Sequence, residues 1–221
     1  MKDKTAVIKK GRHYSSNASS YIFGMQKGLT LIAEVRFRSD CLYPPLPTDY
    51  KSPCRNKTFV CRGDWNKLIG IMPPLGLHPH HNSARITWKV DHETMKFYIG
   101  RYMYVDWIAP NISAPWYCRG YNRNQKNTFK NTFATGISAD EWFKIRIEDT
   151  HTGYRFQYND DDSVYYHTTQ KDYPYFNRKG IACRRNTKIR IYNNPIVISP
   201  FFGGNCPAPQ TCTIDFKFYK S

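Results

Sequence analysis

Apolar and polar residues alternate one for one in stretch after stretch of this chain. A period of two fits an extended strand with one face on a core; it does not fit an amphipathic helix. Ala33, Val35 and Phe37 interleave with Glu34, Arg36 and Arg38. Ile86, Trp88 and Val90 alternate through Arg85–Val90, and Phe143, Ile145 and Ile147 through Trp142–Glu148. Ile214, Phe216 and Phe218 do the same near the C-terminus. These four apolar sets are the expected core. Lys96–Val105 is expected to pair with Arg85–Val90 across a hairpin loop at Asp91–Thr94. Tyr154–Tyr158 is expected to return from Trp142–Glu148 across a turn at Thr150–Gly153. Lys188–Tyr192 and Ile196–Ile198 read as short strands. No segment carries a long stripe at period 3.6, and only Ser138–Trp142 is expected to start a turn of helix. Strands joined by hairpins and loops, without strand–helix–strand alternation, predict an all-β, two-sheet antiparallel sandwich.

The chain has 221 residues, an ordinary length for one large sandwich. No linker divides it, so residues 1–221 are expected to form one domain, with 1–25 as an N-terminal arm. Three loops stand out: 41–58 with four prolines, 109–136 with no acidic residue, and 159–187 running from Asp160–Asp162 into a basic stretch.

Lys and Arg number 33 against 17 Asp and Glu, a formal charge of +16. A field of that size draws polyanions: acidic glycan, nucleic acid, an anionic envelope or an acidic protein. A basic surface that serves only solubility is the plain alternative. Aromatic residues reach 16%, with 17 Tyr and 13 Phe, types that suit pleated, half-buried faces and binding surfaces. No run has the roughly 18 apolar residues of a membrane span. The N-terminal residues lack the apolar core of a secretory signal. The expected setting is therefore a virion or the cytoplasm of a host cell, or outside the cell if residues before Met1 have been removed.

Seven cysteines stand at 41, 54, 61, 118, 183, 206 and 212. An odd count leaves at least one thiol unpaired within the chain, and no C-x-x-C spacing suggests zinc or thioredoxin chemistry. Reduced thiols are expected in a chain without an export signal. Should it meet oxidant, a bridge among Cys41, Cys54 and Cys61 is expected. Asn17-Ala18-Ser19, Asn56-Lys57-Thr58 and Asn111-Ile112-Ser113 are glycosylation triplets, with meaning only in a secreted chain.

Three stretches together carry a resemblance. Pro200-Phe201-Phe202-Gly203-Gly204-Asn205-Cys206-Pro207-Ala208-Pro209-Gln210 leads into the last strand. His80-His81-Asn82-Ser83-Ala84-Arg85 leads into the Trp88 strand and a hairpin back to Tyr102-Met103-Tyr104. Trp142 precedes an alternating strand. Over roughly residues 60–219 the chain resembles the small concanavalin A-like jelly rolls of gut bacteria and their phages. That superfamily includes lectins, glycan-binding modules, glucanases, polysaccharide lyases and virion appendages, so the resemblance implies a fold without choosing a function. Within the motif, Gly203 suits a tight turn with positive φ, and Pro207 and Pro209 must lie outside central strand pairing.

Two functions remain open. A non-enzymatic binding or assembly module would use Arg36, Arg38, Arg119, Arg184 and Arg185 for anions and Trp107, Trp116 and Tyr117 for stacking. Trp65 is a further stacking candidate. Arg178–Arg190 holds six cations and no acid, a mix that serves bidentate Arg contacts to acidic glycans or single-stranded nucleic acid; no nucleic-acid module favours the latter. The expected partners are an anionic glycan or other virion or surface proteins, with self-association open.

The rival is a polysaccharide lyase acting on uronates. Alginate-lyase-type jelly rolls carry an Arg-x-Glu-x-Arg strand; here the order is Glu34-x-Arg36-x-Arg38, and the companion motifs are absent. A lyase would need Arg36 and Arg38 to converge with His80, His81, Tyr102 and Tyr104 as acid and base. The bland reading of Glu34, Arg36 and Arg38 is a cross-strand ion pair. The paired carboxylates of a glycosidase are not found. Neither His78-Pro79-His80-His81 nor Asp160–Asp162 has the spacing of a metal site, so no metal and no cofactor is expected.

Overall fold

A computed structural model of the chain describes residues 3–15, 22–25, 30–45, 65–72, 83–104, 132–149, 154–159, 161–167, 196–203 and 206–219. Within them run β1 (Lys4–Ile8), β2 (Ile22–Met25), β3 (Thr30–Phe37), β4 (Asn66–Met72), β5 (Ser83–Asp91), β6 (Lys96–Tyr104), β7 (Thr132–Ile137), β8 (Trp142–Asp149), β9 (Tyr154–Tyr158), β10 (Asp161–His167), β11 (Ile196–Ile198) and β12 (Cys212–Tyr219). They form two six-stranded sheets, A in the order β1-β12-β3-β8-β9-β10 and B in the order β2-β11-β4-β5-β6-β7. The described pairings are antiparallel. The two-sheet antiparallel sandwich expected from the alternation is the fold observed.

The register turns the alternation into a core. In sheet A, Val35 lies between Phe216 and Phe143, and Ala33 between Phe218 and Ile145. In sheet B, Trp88 faces Ile99 and Val90 faces Phe97 across β5 and β6. All four expected apolar sets are buried. The sheets meet through aromatic rings. Phe37 of sheet A stacks on Phe97 at 4.3 Å and lies 4.9 Å from Trp88, both in sheet B. Farther along, Phe23 of β2 meets Phe216 edge-on at 5.3 Å. Burying each such side chain contributes roughly 1.5–3 kcal/mol, and ring geometry adds to that.

Several expectations are corrected. Ser138–Trp142 does not start a helix. Asp140 takes a left-handed φ of 62°, its N–H donates to the Phe37 carbonyl at 2.7 Å, and β8 begins at Trp142. Within the expected N-terminal arm, Ala6 and Ile8 are buried and β1 pairs with β12, from Lys4 opposite Phe216 to Ile8 opposite Cys212. β10 occupies part of the expected loop 159–187, and β7 begins inside the expected loop 109–136. β4 is concealed in the sequence because a register shift between Lys67 and Gly70 breaks its alternation. The Asp91–Thr94 hairpin forms as expected: the Asp91 carboxylate accepts from Glu93 N and Thr94 Oγ1. Lys188–Tyr192 and Thr150–Gly153 lie outside the described residues.

Gly203 has φ 63°, and an added Cβ would overlap the Cys206 carbonyl oxygen. Its N–H donates to the buried Asn66 Oδ1 at 2.6 Å, and Asn66 Nδ2 donates to the Tyr43 hydroxyl at 3.1 Å. The corner after β11 is thereby tied to the start of β4. Pro207 and Pro209 precede β12, outside strand pairing. The thiols depart from expectation: Cys206 is disulfide-bonded, whereas Cys41 is buried and free and so not part of a bridge among Cys41, Cys54 and Cys61.

Candidate functional site

Alternation also dictates what the solvent side of each sheet carries. On β3 that side holds Glu34 and Arg36, with Arg38 just past its end; on β12, Thr213, Asp215, Lys217 and Tyr219; on β8, Trp142, Lys144, Arg146 and Glu148. The register aligns these side chains in rows. Thr5, Asp215, Arg36 and Trp142 form one row across four strands. Lys217, Glu34 and Lys144 form the next. Glu148 lies opposite Arg155 farther on.

Asp215 is the hub of the first row. Arg36 donates Nε at 3.1 Å and Nη2 at 2.9 Å to its Oδ2. Arg38 brings its own Nε to 2.6 Å from the same oxygen, and Thr5 Oγ1 donates to Oδ1 at 2.8 Å. Arg38 also reaches Asp140 at 3.7 Å. The hub is half closed: the Asp215 side chain is 11% exposed and Arg36 24%, while Arg38 is 42% exposed.

Trp142 lies beside this hub with a cation on each of two neighbours. The Arg36 guanidinium is 4.4 Å from the indole centroid, and Lys217 Nζ is 4.0 Å from it. Lys217 belongs to β12, two strands from β8, so the indole extends across β3 to meet it. Contacts of this kind are worth about 0.5–1 kcal/mol where solvent reaches them. Lys217 also pairs with Glu34 at 3.3 Å. The Tyr219 hydroxyl donates to Glu34, and that bond raises the Tyr219 pKa, so the phenol stays protonated.

Glu148 repeats the pattern of Asp215, shared by Arg146 at 3.3 Å and Arg155 at 3.4 Å. The described solvent side of sheet A, with the turn beside it, thus sets six cations (Arg36, Arg38, Lys144, Arg146, Arg155, Lys217) against four carboxylates (Glu34, Asp140, Glu148, Asp215). Two of those carboxylates are each shared by two arginines, and the surface is positive after internal pairing. With Trp142 at one end, it can hold an anion beside an aromatic ring. The described side chains of this face include no neutral base poised against an acid.

The solvent side of sheet B differs. Arg85 and Thr87, on the side of β5 opposite Trp88, are 0% and 2% exposed, and Arg85 Nη2 donates to the Ser199 carbonyl at 2.6 Å. Sheet A therefore offers the more open of the two faces at these strands.

The expected site residues separate accordingly. Arg36 and Arg38 come together, at Asp215. Tyr102 pairs with Arg85 and Tyr104 with Ser83, which puts both positions in sheet B, across the core from the arginines. The six-residue convergence a lyase would need is not assembled by these four. His80, His81, Trp107, Trp116, Tyr117, Arg119, Arg184 and Arg185 lie outside the described residues. Trp65 is half-buried with Lys89 Nζ 5.1 Å from its ring. Among the described residues no group of three His, Cys, Asp or Glu side chains could hold a metal ion, and no helix is long and apolar enough to cross a membrane.

Sequence reading missed Asp215, Lys217, Arg146 and the part Trp142 plays. Their outward positions were legible from alternation. Their meeting was not, because β12, β3 and β8 are far apart in sequence and become neighbours only through the sheet order.

No protein-family model matches the chain, and no curated protein does. Solved structures do. A pseudo β-1,3-glucanase and immunostimulatory antigen of Mycobacterium tuberculosis aligns with a TM-score of 0.41 and 12% identity, over 99% of this chain and 75% of that one. A structure from work on endo-acting O-glycanases that initiate mucin breakdown, expressed by members of the human gut microbiota, aligns with a TM-score of 0.39 and 12% identity, over 96% and 76% of the two chains. At these TM-scores neither likeness bears on what this chain binds.

Proposed function

We propose that this chain is a non-enzymatic binding module whose solvent side of sheet A engages an anionic partner, foremost an acidic glycan. One observation carries the reading: six cations outnumber four carboxylates on an open, register-aligned face, and two of the cations, Arg36 and Lys217, meet the Trp142 ring. A guanidinium and an ammonium held against an indole suit the carboxylate or sulphate of an acidic sugar, charge to charge. The +16 charge of the chain adds long-range attraction. Individual exposed ion contacts are worth only about 0.2–1 kcal/mol, so affinity comes from several contacts together and falls steeply with salt. The lyase reading loses support because Arg36 and Arg38 are held by Asp215 and lie across the core from Tyr102 and Tyr104.

The test is an array of neutral, uronate-bearing and sulphated glycans probed at graded salt. The expected result is capture of acidic glycans that weakens as salt rises, with neutral glycans ignored. Capture of no acidic glycan at low salt overturns the reading. A new conjugated double bond on a uronate panel, seen as rising ultraviolet absorbance, overturns its non-enzymatic part and restores the lyase.

A further inference from the structure

Cys41 closes a single 3-10 turn, Ser39–Cys41, that follows β3, and Cys212 opens β12. They are 171 positions apart in sequence. Both are 0% exposed and both thiols are free. Cys41 Sγ reaches the backbone next to Cys212, 3.1 Å from the Thr213 carbonyl, and Cys212 Sγ is 3.7 Å from the Gln210 carbonyl; the Cys212 thiol is close enough to raise the Cys41 pKa.

Their meeting is enforced by the backbone around them. Thr213 donates its N–H at 2.8 Å and its hydroxyl at 2.6 Å to the two oxygens of the Asp40 carboxylate. Gln210 Nε2 donates to the Asp40 carbonyl at 2.6 Å, and Arg38 N–H donates to the Thr213 carbonyl at 3.0 Å. Four hydrogen bonds thus fix the 3-10 turn to the start of β12 on either side of the sulfurs. The loop-closure cost of bringing these distant residues together is met by the fold before any bond forms between them. Elsewhere in the molecule Cys206 is already disulfide-bonded.

We propose that Cys41 and Cys212 are a modification site: a dithiol that a small disulfide such as oxidised glutathione converts into an internal disulfide. One cysteine thiolate attacks a glutathione sulfur, forming a mixed disulfide and releasing one glutathione. The second, once deprotonated, attacks the protein sulfur of that mixed disulfide and releases the other glutathione. The two protons lost by the cysteines pass to the two departing glutathione thiolates, so the protein dithiol is oxidised and one glutathione disulfide is reduced to two thiols. The bond would staple the end of β3 to β12 at the centre of sheet A, beneath the cationic face. Burial and the neighbouring thiol raise the Cys41 pKa, so reaction waits on transient opening near the turn and speeds up with pH.

The test uses the full chain, incubated in a series of reduced-to-oxidised glutathione ratios, then unfolded, alkylated and digested without reduction. The expected product is a linked peptide pair containing Cys41 and Cys212, absent from Cys41→Ser and Cys212→Ser. The thermal midpoint of the oxidised wild-type chain should rise by roughly 5–15 °C. Full alkylation of both residues at the most oxidising ratio overturns the proposal, as does Cys41 linked to any other cysteine. A linked pair whose formation lowers the midpoint refutes the preformed geometry. The mapping is done on wild-type protein, so it decides the matter even if a serine variant fails to fold.

Discussion

Replacing Asp215 by Asn should weaken the fold and strengthen the binding of anions. Asp215 accepts from Arg36 twice, from Arg38 once and from Thr5 once. Arg36 donates twice to the one oxygen Oδ2 and is three-quarters buried, which puts the pair near 1–1.5 kcal/mol. The Arg38 pair is 42% exposed on the arginine side and is discounted for solvent screening to about 0.5 kcal/mol. Asparagine keeps one carbonyl acceptor but turns an amide N–H₂ toward a guanidinium. The net loss is about 2 kcal/mol, or roughly 4–8 °C in the thermal midpoint of a chain this size. The same change removes the one anion that two guanidiniums share, so an acidic glycan meets one more uncompensated positive charge. At about 0.5–1 kcal/mol for that charge, affinity should rise roughly 2–5-fold at low salt, with a steeper salt dependence. Calorimetric or fluorescence titration across a salt series, beside differential scanning calorimetry, measures both effects. A variant that loses stability without gaining affinity would refute the reasoning, since Arg36 and Arg38 would then be structural and the binding face would lie elsewhere.

Trp142→Ala removes the ring between Arg36 and Lys217 and should lower affinity for acidic glycans about tenfold while costing about 1 kcal/mol of stability, both read in the same two assays. Gly203→Ala combines a left-handed φ with overlap on the Cys206 carbonyl and disturbs the Asn66 bond; urea unfolding should show a loss of about 2–3 kcal/mol. Tyr43 is pushed up to about 12 by burial, from 10. Because the folded pKa is the higher one, its contribution is complete below pH 10 and is lost as pH rises from 10 through 12, by about 2–3 kcal/mol. Unfolding measured between pH 9 and 12 should show that decline in wild type and a shallower one in Tyr43→Phe.

The inward sets were readable before any coordinates because burial acts on each strand separately. Ala33, Val35 and Phe37 must leave water wherever β3 is placed, and the two-residue period alone says they leave it on the same side. Hence the sandwich, its principal core and the outward direction of Arg36 and Arg38 follow from local pattern. β4 escaped that logic because its bulge spoils the alternation, and β1 because five residues give too short a pattern to separate from an arm.

What tertiary structure alone decided is who sits next to whom. Asp215 and Arg36 are 179 positions apart, and the Cys41 thiol lies 172 positions from the Thr213 carbonyl it meets. Nothing in a linear pattern distinguishes an arginine waiting for a ligand from one already held by a carboxylate of its own chain. The order of strands in the sheets makes that distinction, because hydrogen-bonded neighbours in a sheet are about 5 Å apart regardless of the chain between them. The same order put Tyr102 and Tyr104 across the core from the arginines and brought Trp142 between two cations.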